Sequence, residues 1–400
     1  MDSKKIKNEV QRIISVVRRK GDQALADFTK RFDKISLKPQ QFRISPQRIE
    51  RAYRNLDSEK RRSLDACARR IQEFHWYERK HLPQSWTMMR NGVRLGQIYS
   101  PLESVGIYVP GGQYSYPSTL LMTAIPARLA GVPRRVAITP PVRLTDEILA
   151  AAKIAGVTDL YQIGGPAGIV ALAIGTKTIP KVDLIVGPGN ALVTEAKRQL
   201  FGEVGIDLLA GPSELVVLAD ETAPADFVAA DLAAQVEHDD DAKGILITTS
   251  KKLMKDVQDL IPKVVQGQCQ FFYQSDLAHA IDVANKIAGE HVQIMVKSPQ
   301  RCLDHLKNGG AFFIDQWSPA VMGDYWAGPS HVLPTGGSAR FLSGLSVMTF
   351  LKRSSLIHVS GVAFKKGSGY AKTMAKLEGL KFHARSLDVR NRDPILNEDI

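Results

Sequence analysis

The chain has 400 residues, 44% of them hydrophobic, enough to bury one large core or two to three ordinary ones. Its 53 Lys and Arg against 41 Asp and Glu leave a net charge of +12, yet the basic residues come in short groups such as Arg18-Arg19-Lys20 and Lys60-Arg61-Arg62 with acids between them and no RNA-binding or zinc-finger signature, which predicts a solvated basic surface before nucleic-acid binding, with steering of an anionic cofactor as its second use. No run of about 18 apolar residues and no signal-peptide pattern occurs, which predicts a soluble, cytoplasmic protein, and the distant Cys67, Cys269 and Cys302 exclude a disulfide framework or a thiolate zinc knot.

In chain order, Ile6, Val10, Ile13, Ile14 and Val17 recur at helical spacing, Gly21-Asp22 can stop one helix and cap the next, and Asp57-Ser58 opens a long charged helix toward Phe74. The first hundred residues therefore read as helices with polar joints. From Val105, short β-rich segments at 105–109, 135–139, 159–163, 183–186, 215–218 and 244–248 alternate with Ala- and Leu-rich helical ones. That is the signature of βαβ units, so the fold class is α/β with mostly parallel sheet.

Glycine-rich loops stand at 109–112, 163–166, 186–190 and 210–213. Glycine permits close backbone approach, and ligands of such sheets sit outside the carboxyl ends of strands, so these loops predict a nucleotide-type crevice. None completes Gly-x-Gly-x-x-Gly or a Walker lysine motif, and no acidic residue stands at the usual distance to read a ribose 2′-hydroxyl.

Gln235 and His238 lie one helical turn apart at the end of an Ala-rich amphipathic run, where an amide oxygen and an imidazole on one face can reach one divalent cation. Glu290-His291, Gly323-Asp324 leading to His331, and Glu378 five residues before His383 add three more such clusters, and together they point to an active site.

The runs VGIYVPGG (105–112), YPS (116–118), KVDLIVGPGN (181–190), AGPSE (210–214), QVEH (235–238), GEH (289–291), Gly323-Asp324, HVLPT (331–335) and EGLKFH (378–383) resemble the histidinol dehydrogenase family, in order from about Val10 to Arg390. The resemblance implies two incomplete Rossmann-like parallel-sheet domains with a helical N-terminal lead. One comprises 1–105 with 215–291 and 336–345, the cofactor-binding other 106–214 with 292–335, and 346–400 is an exchanged C-terminal dimerisation arm. It implies NAD-dependent oxidation of L-histidinol through L-histidinal to L-histidine, the last step of histidine biosynthesis, by a homodimer with shared active sites.

By the same resemblance Gln235, His238, Asp324 and His383 match the ligands of one Zn2+ per subunit, which holds and orients the substrate. Glu290 and His291 match the acid-base pair, Ser213, His331 and Glu378 the substrate pocket, and Tyr108 and Asn190 cofactor contacts. Hydride loss from an alcohol needs a base for the hydroxyl proton, which neutral histidine suits, and oxidation of the aldehyde needs water to add first, which a carboxylate can activate. No cysteine lies in a motif, so a thiohemiacetal route finds no support.

The chain departs from the pattern at Ala167, where the family usually carries a glutamine that helps hold the cofactor; forgoing one such hydrogen bond costs about 0.5–1.5 kcal/mol. The segment between Lys263 and Phe271, around Gln266, is shorter than usual. Two other readings stand beside the first: a dehydrogenase of the same superfamily for another alcohol such as a sulfonated propanediol, which the acidic Glu378 opposes, and a catalytically silent zinc-binding homologue. Neither NAD over NADP nor zinc over manganese is written in the sequence.

Overall fold

A computed structural model describes residues 3–111, 115–237 and 240–391. The chain divides into two units, Met1–His81 with Leu102–Phe350 and Leu82–Pro101 with Leu351–Ile400.

The first unit opens with α1 (Ser3–Lys20), α2 (Asp22–Phe32), α3 (Pro46–Asn55) and α4 (Ser58–His81). α1 buries Val10, Ile13 and Val17, the row that the helical spacing picks out. Gly21, with φ +53, makes the turn into α2. Strands β1 (Trp86–Arg90) and β2 (Val93–Pro101) follow and belong to the second unit, so the first hundred residues are not helical throughout.

Five parallel strands then form a sheet: β3 (Ser104–Tyr108), β4 (Arg134–Ile138), β5 (Asp159–Tyr161), β6 (Leu184–Val186) and β7 (Gly205–Ile206), in the order β5-β4-β3-β6-β7. The crossovers are α5 (Pro117–Ala130), α6 (Asp146–Ala155), α7 (Gly165–Ile174) and α8 (Ala191–Leu200). α1 and α2 pack on α7 and α8, while α3 and α4 pack on α5 and α6. Helices on both faces explain why β3 is buried at every position and why its sequence lacks a polar alternation from Val105 onward.

The second sheet repeats that topology with β8 (Glu214–Ala219), β9 (Lys243–Thr248), β10 (Cys269–Tyr273), β11 (His291–Met295) and β12 (Ala311–Ile314), in the order β10-β9-β8-β11-β12. Its helices are α9 (Ala225–Val236), α10 (Lys251–Leu260), α11 (Leu277–Ile287), α12 (Pro299–Leu303) and α13 (Ala320–Tyr325). Alternate residues of β8 feed two cores: Leu215, Val217 and Ala219 pack with α9 and α10, and Val216 and Leu218 pack with α11.

These sheets redraw the expected domain boundaries. β12 falls within 292–335 but pairs with β11, because the α12 crossover returns to the sheet it left, and the helical lead packs against the first sheet's helices, where the α1 row joins Leu172, Val193 and Leu200 in one core. Around Gln266 a short turn at Gln266–Gln268 runs straight into β10. There Gln268 Nε2 donates to the carbonyls of Asp240 (3.1 Å) and Ala242 (3.2 Å), tying the turn to the loop after α9.

The second unit holds an antiparallel sheet in the order β1-β2-β13, with β13 at Leu351–Val359 pairing along all of β2. Asn91 and Gly92, with φ +52 and +76, join β1 to β2 in the left-handed backbone that a two-residue hairpin needs. α14 (Gly361–Leu377) and α15 (Lys381–Arg390) follow as a helical hairpin linked by the Lys372–Asp388 ion pair. Among the described residues no helix is long and apolar enough to cross a membrane.

Candidate active site

A pocket of about 530 Å3 opens in the first unit. One wall is built at the carboxyl ends of the first sheet, from Tyr108, Pro140, Gly164 and Asn190; the other is built at the amino ends of the second, from Ser213, Glu290 and His291. The rule that ligands sit at carboxyl ends thus describes the first sheet only.

The first wall centres on β3 and β6, where the strand order reverses. Tyr108 ends β3, and burial pushes its phenol well above the usual tyrosine range, with the nearby Asp33 charge adding to the rise. Gly187 follows β6 with φ +110, and a Cβ there would collide with the Tyr108 carbonyl, so the position requires glycine. Its N–H donates to Asp207 Oδ2 at 2.7 Å, its carbonyl accepts from Lys197 Nζ at 3.0 Å, and Lys197 and Asp207, each 2% exposed, pair with each other. A fully buried ion pair therefore fixes the loop 187–190. Asn190 caps α8 by accepting from Leu192 N and Val193 N, both at 3.1 Å, which commits its carbonyl oxygen and leaves its amide N–H groups for the pocket. Ala167 lies in the first turn of α7, buried, and presents a methyl group to the pocket lining.

On the second wall β11 runs beside β8 with His291 opposite Leu215. Glu290 and His291 are both buried, and Glu290 Oε2 accepts from Glu214 N at 3.1 Å. His291 Nδ1 stands 3.8 Å from Glu290 Oε2, and Nε2 stands 3.5 Å from Asp324 Oδ1 on α13. Burial pulls the imidazole down, but the Glu290 charge and Asp324 outweigh it and lift its pKa to about 9. A cation on Asp324 would offset one of the two charges that favour the protonated ring. His331 Nδ1 lies 3.1 Å from the Asp324 carbonyl, which can only accept, so Nδ1 carries the proton and Nε2, 3.2 Å away, faces the Thr119 hydroxyl of α5.

Gln235, in the last turn of α9 and 3% exposed, lines the same pocket as Asp324. His238 lies outside the described residues. Glu378, just after α14, and His383, in α15, belong to the second unit, and both are exposed. The motifs do not include Asp33 and Thr29 at the end of α2, which line the first wall, or Thr119, which meets His331. For Thr119 the signal is its place beside the YPS run; for Asp33 and Thr29 there is none in the local sequence. Among the described residues no cysteine lines the pocket, and burial raises all three thiols.

Residues 1–391 match the family model described as histidinol dehydrogenase. A histidinol dehydrogenase of Listeria monocytogenes is 43% identical over 97% of this chain and 94% of its own, and one of Carboxydothermus hydrogenoformans is 43% identical over 96% and 94%. The crystal structure of histidinol dehydrogenase from Elizabethkingia anophelis superposes with a TM-score of 0.89 at 32% identity, covering 97% of this chain and 92% of that one. A match over nearly the whole length, in sequence and in fold, places this chain in the histidinol dehydrogenase family.

Proposed function

We propose that this protein oxidises L-histidinol through L-histidinal to L-histidine with two equivalents of NAD. The observation that carries the reading is the buried Glu290–His291 pair beside Asp324, in a pocket whose opposite wall is a nucleotide-type crevice. When bound, NAD accepts each hydride, and a zinc ion anchors and polarises the substrate. The donor set supports such an ion: Gln235 and Asp324 are both buried and line one pocket, and with His238 and His383 they offer the oxygen and imidazole ligands that a borderline dication takes. Among the described residues no three His, Cys, Asp or Glu gather into a metal cluster; His238 and His383 are proposed as the remaining ligands.

His291 holds or takes the proton at Nε2 that the substrate hydroxyl gives up, while Glu290, fixed by the Glu214 N–H, activates the water that adds to the aldehyde. Ser213 and His331 line the substrate end, and Tyr108 and the Asn190 amide face the cofactor. Glu378 supplies a carboxylate for the substrate's cationic end. We infer a homodimer with shared sites, supported by the apolar side chains that the second unit exposes at Ile357, Tyr370, Leu377 and Phe382. The sulfonated-alcohol reading loses support, because no Lys or Arg is among the described residues that line the pocket.

The test is turnover of histidinol with NAD, expected to yield two reduced cofactors per histidine, to cease with a chelator and to return with zinc. In Glu290→Gln the histidinal step should fall far more than the histidinol step; equal losses would remove the assigned role. Mixed dimers of Glu290→Gln and His383→Ala should regain activity, and no recovery in confirmed mixed dimers would refute shared sites. A chain that binds zinc yet never turns over histidinol would be the silent homologue.

A further inference from the structure

We propose that Asp33 is the residue that selects NAD over NADP, accepting a hydrogen bond from the adenosine 2′-hydroxyl and repelling a 2′-phosphate. The inference rests on the NAD reading above. It supplies what the Gly-rich loops lack, an acid in reach of the cofactor, and it comes from α2, far in sequence from every loop of the crevice.

Three observations carry it. Asp33 follows the last residue of α2 and lines the pocket with Phe28, Thr29 and Phe32, on the wall that holds Tyr108 and Gly165. The other acids of the lining that serve chemistry, Glu290 and Asp324, stand on the opposite wall with the reacting groups, so the nicotinamide belongs there and the adenosine half belongs toward Asp33. Second, the Asp33 side chain is half-buried and makes no hydrogen bond or ion pair among the described residues; its backbone N–H alone is engaged, with the Thr29 carbonyl at 2.9 Å. A carboxylate partly withdrawn from water without a partner costs stability, and burial does push its carboxyl above the usual range. A ligand hydroxyl repairs that loss.

Third, no Lys or Arg is among the described residues that line the pocket, and the neighbouring Arg31 lies over the Phe32 ring, 5.1 Å from its centroid. A 2′-phosphate brought beside Asp33 would meet a like charge, while the adjacent Lys34 gives its ammonium group to the Arg31 carbonyl at 2.8 Å. Sequence-distance rules for such acids fail here because the acid is delivered by packing of α2 against α7.

The experiment is calorimetric titration of the intact wild type and of Asp33→Asn with NAD, with NADP and with NAD lacking the adenosine 2′-hydroxyl, each variant being checked for an unchanged melting temperature. The wild type should bind NAD about tenfold more tightly than the 2′-deoxy analogue, the size expected of a hydrogen bond to a charged group, and NADP at least about a hundredfold more weakly than NAD. In Asp33→Asn the preference over the deoxy analogue should shrink, and NADP should gain on NAD by about tenfold or more. The deoxy analogue tests the wild type alone, so the outcome does not hang on the variant folding. Equal wild-type binding of NAD and its deoxy analogue, or a folded Asp33→Asn with an unchanged NAD to NADP ratio, overturns the inference alone. A wild type that binds no nicotinamide dinucleotide overturns it together with the NAD reading.

Discussion

Replacing Lys197 by Met isolates the device that shapes the cofactor loop. The ammonium group and Asp207 are each 2% exposed, so the substitution strands a carboxylate in the interior and removes the 3.0 Å bond to the Gly187 carbonyl. Breaking a buried pair by removing one partner costs about 3–5 kcal/mol, most of it from the charge left behind. Asp207 keeps only its acceptance from the Gly187 and Leu208 N–H groups, at 2.7 and 2.6 Å. Lys197→Met should therefore lower the urea unfolding free energy by about that amount, whereas Lys197→Met/Asp207→Asn, which removes both charges and keeps an acceptor for Gly187 N–H, should recover at least about half of the loss. NAD affinity should fall in the single variant and return in part in the double one, since the loop 187–190 carries Asn190. A single variant that loses less than about 1 kcal/mol, or a double variant no more stable than the single, would refute the account.

Ala167→Gln should tighten NAD by about 2- to 12-fold, the value of one added hydrogen bond, as read by titration; no gain would mean that the pocket already compensates for the methyl group. Burial raises the Asp231 carboxyl, which accepts from Gln293 Nε2 at 2.8 Å, so the native state binds the proton more tightly than the unfolded chain does. Its penalty is absent below about pH 4, grows as pH rises toward the raised native pKa and then stays constant. Asp231→Asn should therefore gain stability at pH 7 and none at about pH 3.5, and equal effects at both would contradict the assignment. Gln268→Ala should weaken zinc binding about tenfold in a chelator competition, because the Asp240 and Ala242 carbonyls it holds come a few residues after Gln235 and His238 in the chain; unchanged zinc affinity would make the clamp purely structural.

Six predicted strands correspond to β3, β4, β5, β6, β8 and β9 because each is an apolar run closed in on both faces. The β1-β2-β13 sheet escaped the same reading, since β1 is exposed at every position and β13 at most, which leaves no alternation to detect. Asn91-Gly92 was its one legible mark. Tyr108, Asn190, Ser213, Gln235, Glu290, His291, Asp324 and His331 converge on one pocket as the motifs imply, but nothing in the sequence tells that the second sheet offers its amino ends, or that a helix from the first 33 residues reaches the crevice. Both facts come from how the layers pack, which no local pattern encodes.

That the two sheets present opposite ends to the pocket also gives it an electric field before any side chain is charged. Helices α7 and α8 begin at the first wall, and α9 and α11 finish at the second, next to Gln235 and Glu290. Each helix end carries about half an elementary charge, positive on the first side and negative on the second. The diphosphate of a dinucleotide is thus favoured on one wall, and a metal dication with a protonated amine on the other. Had both sheets offered carboxyl ends, the cavity would be electropositive throughout, welcoming the cofactor and repelling everything that it is meant to oxidise.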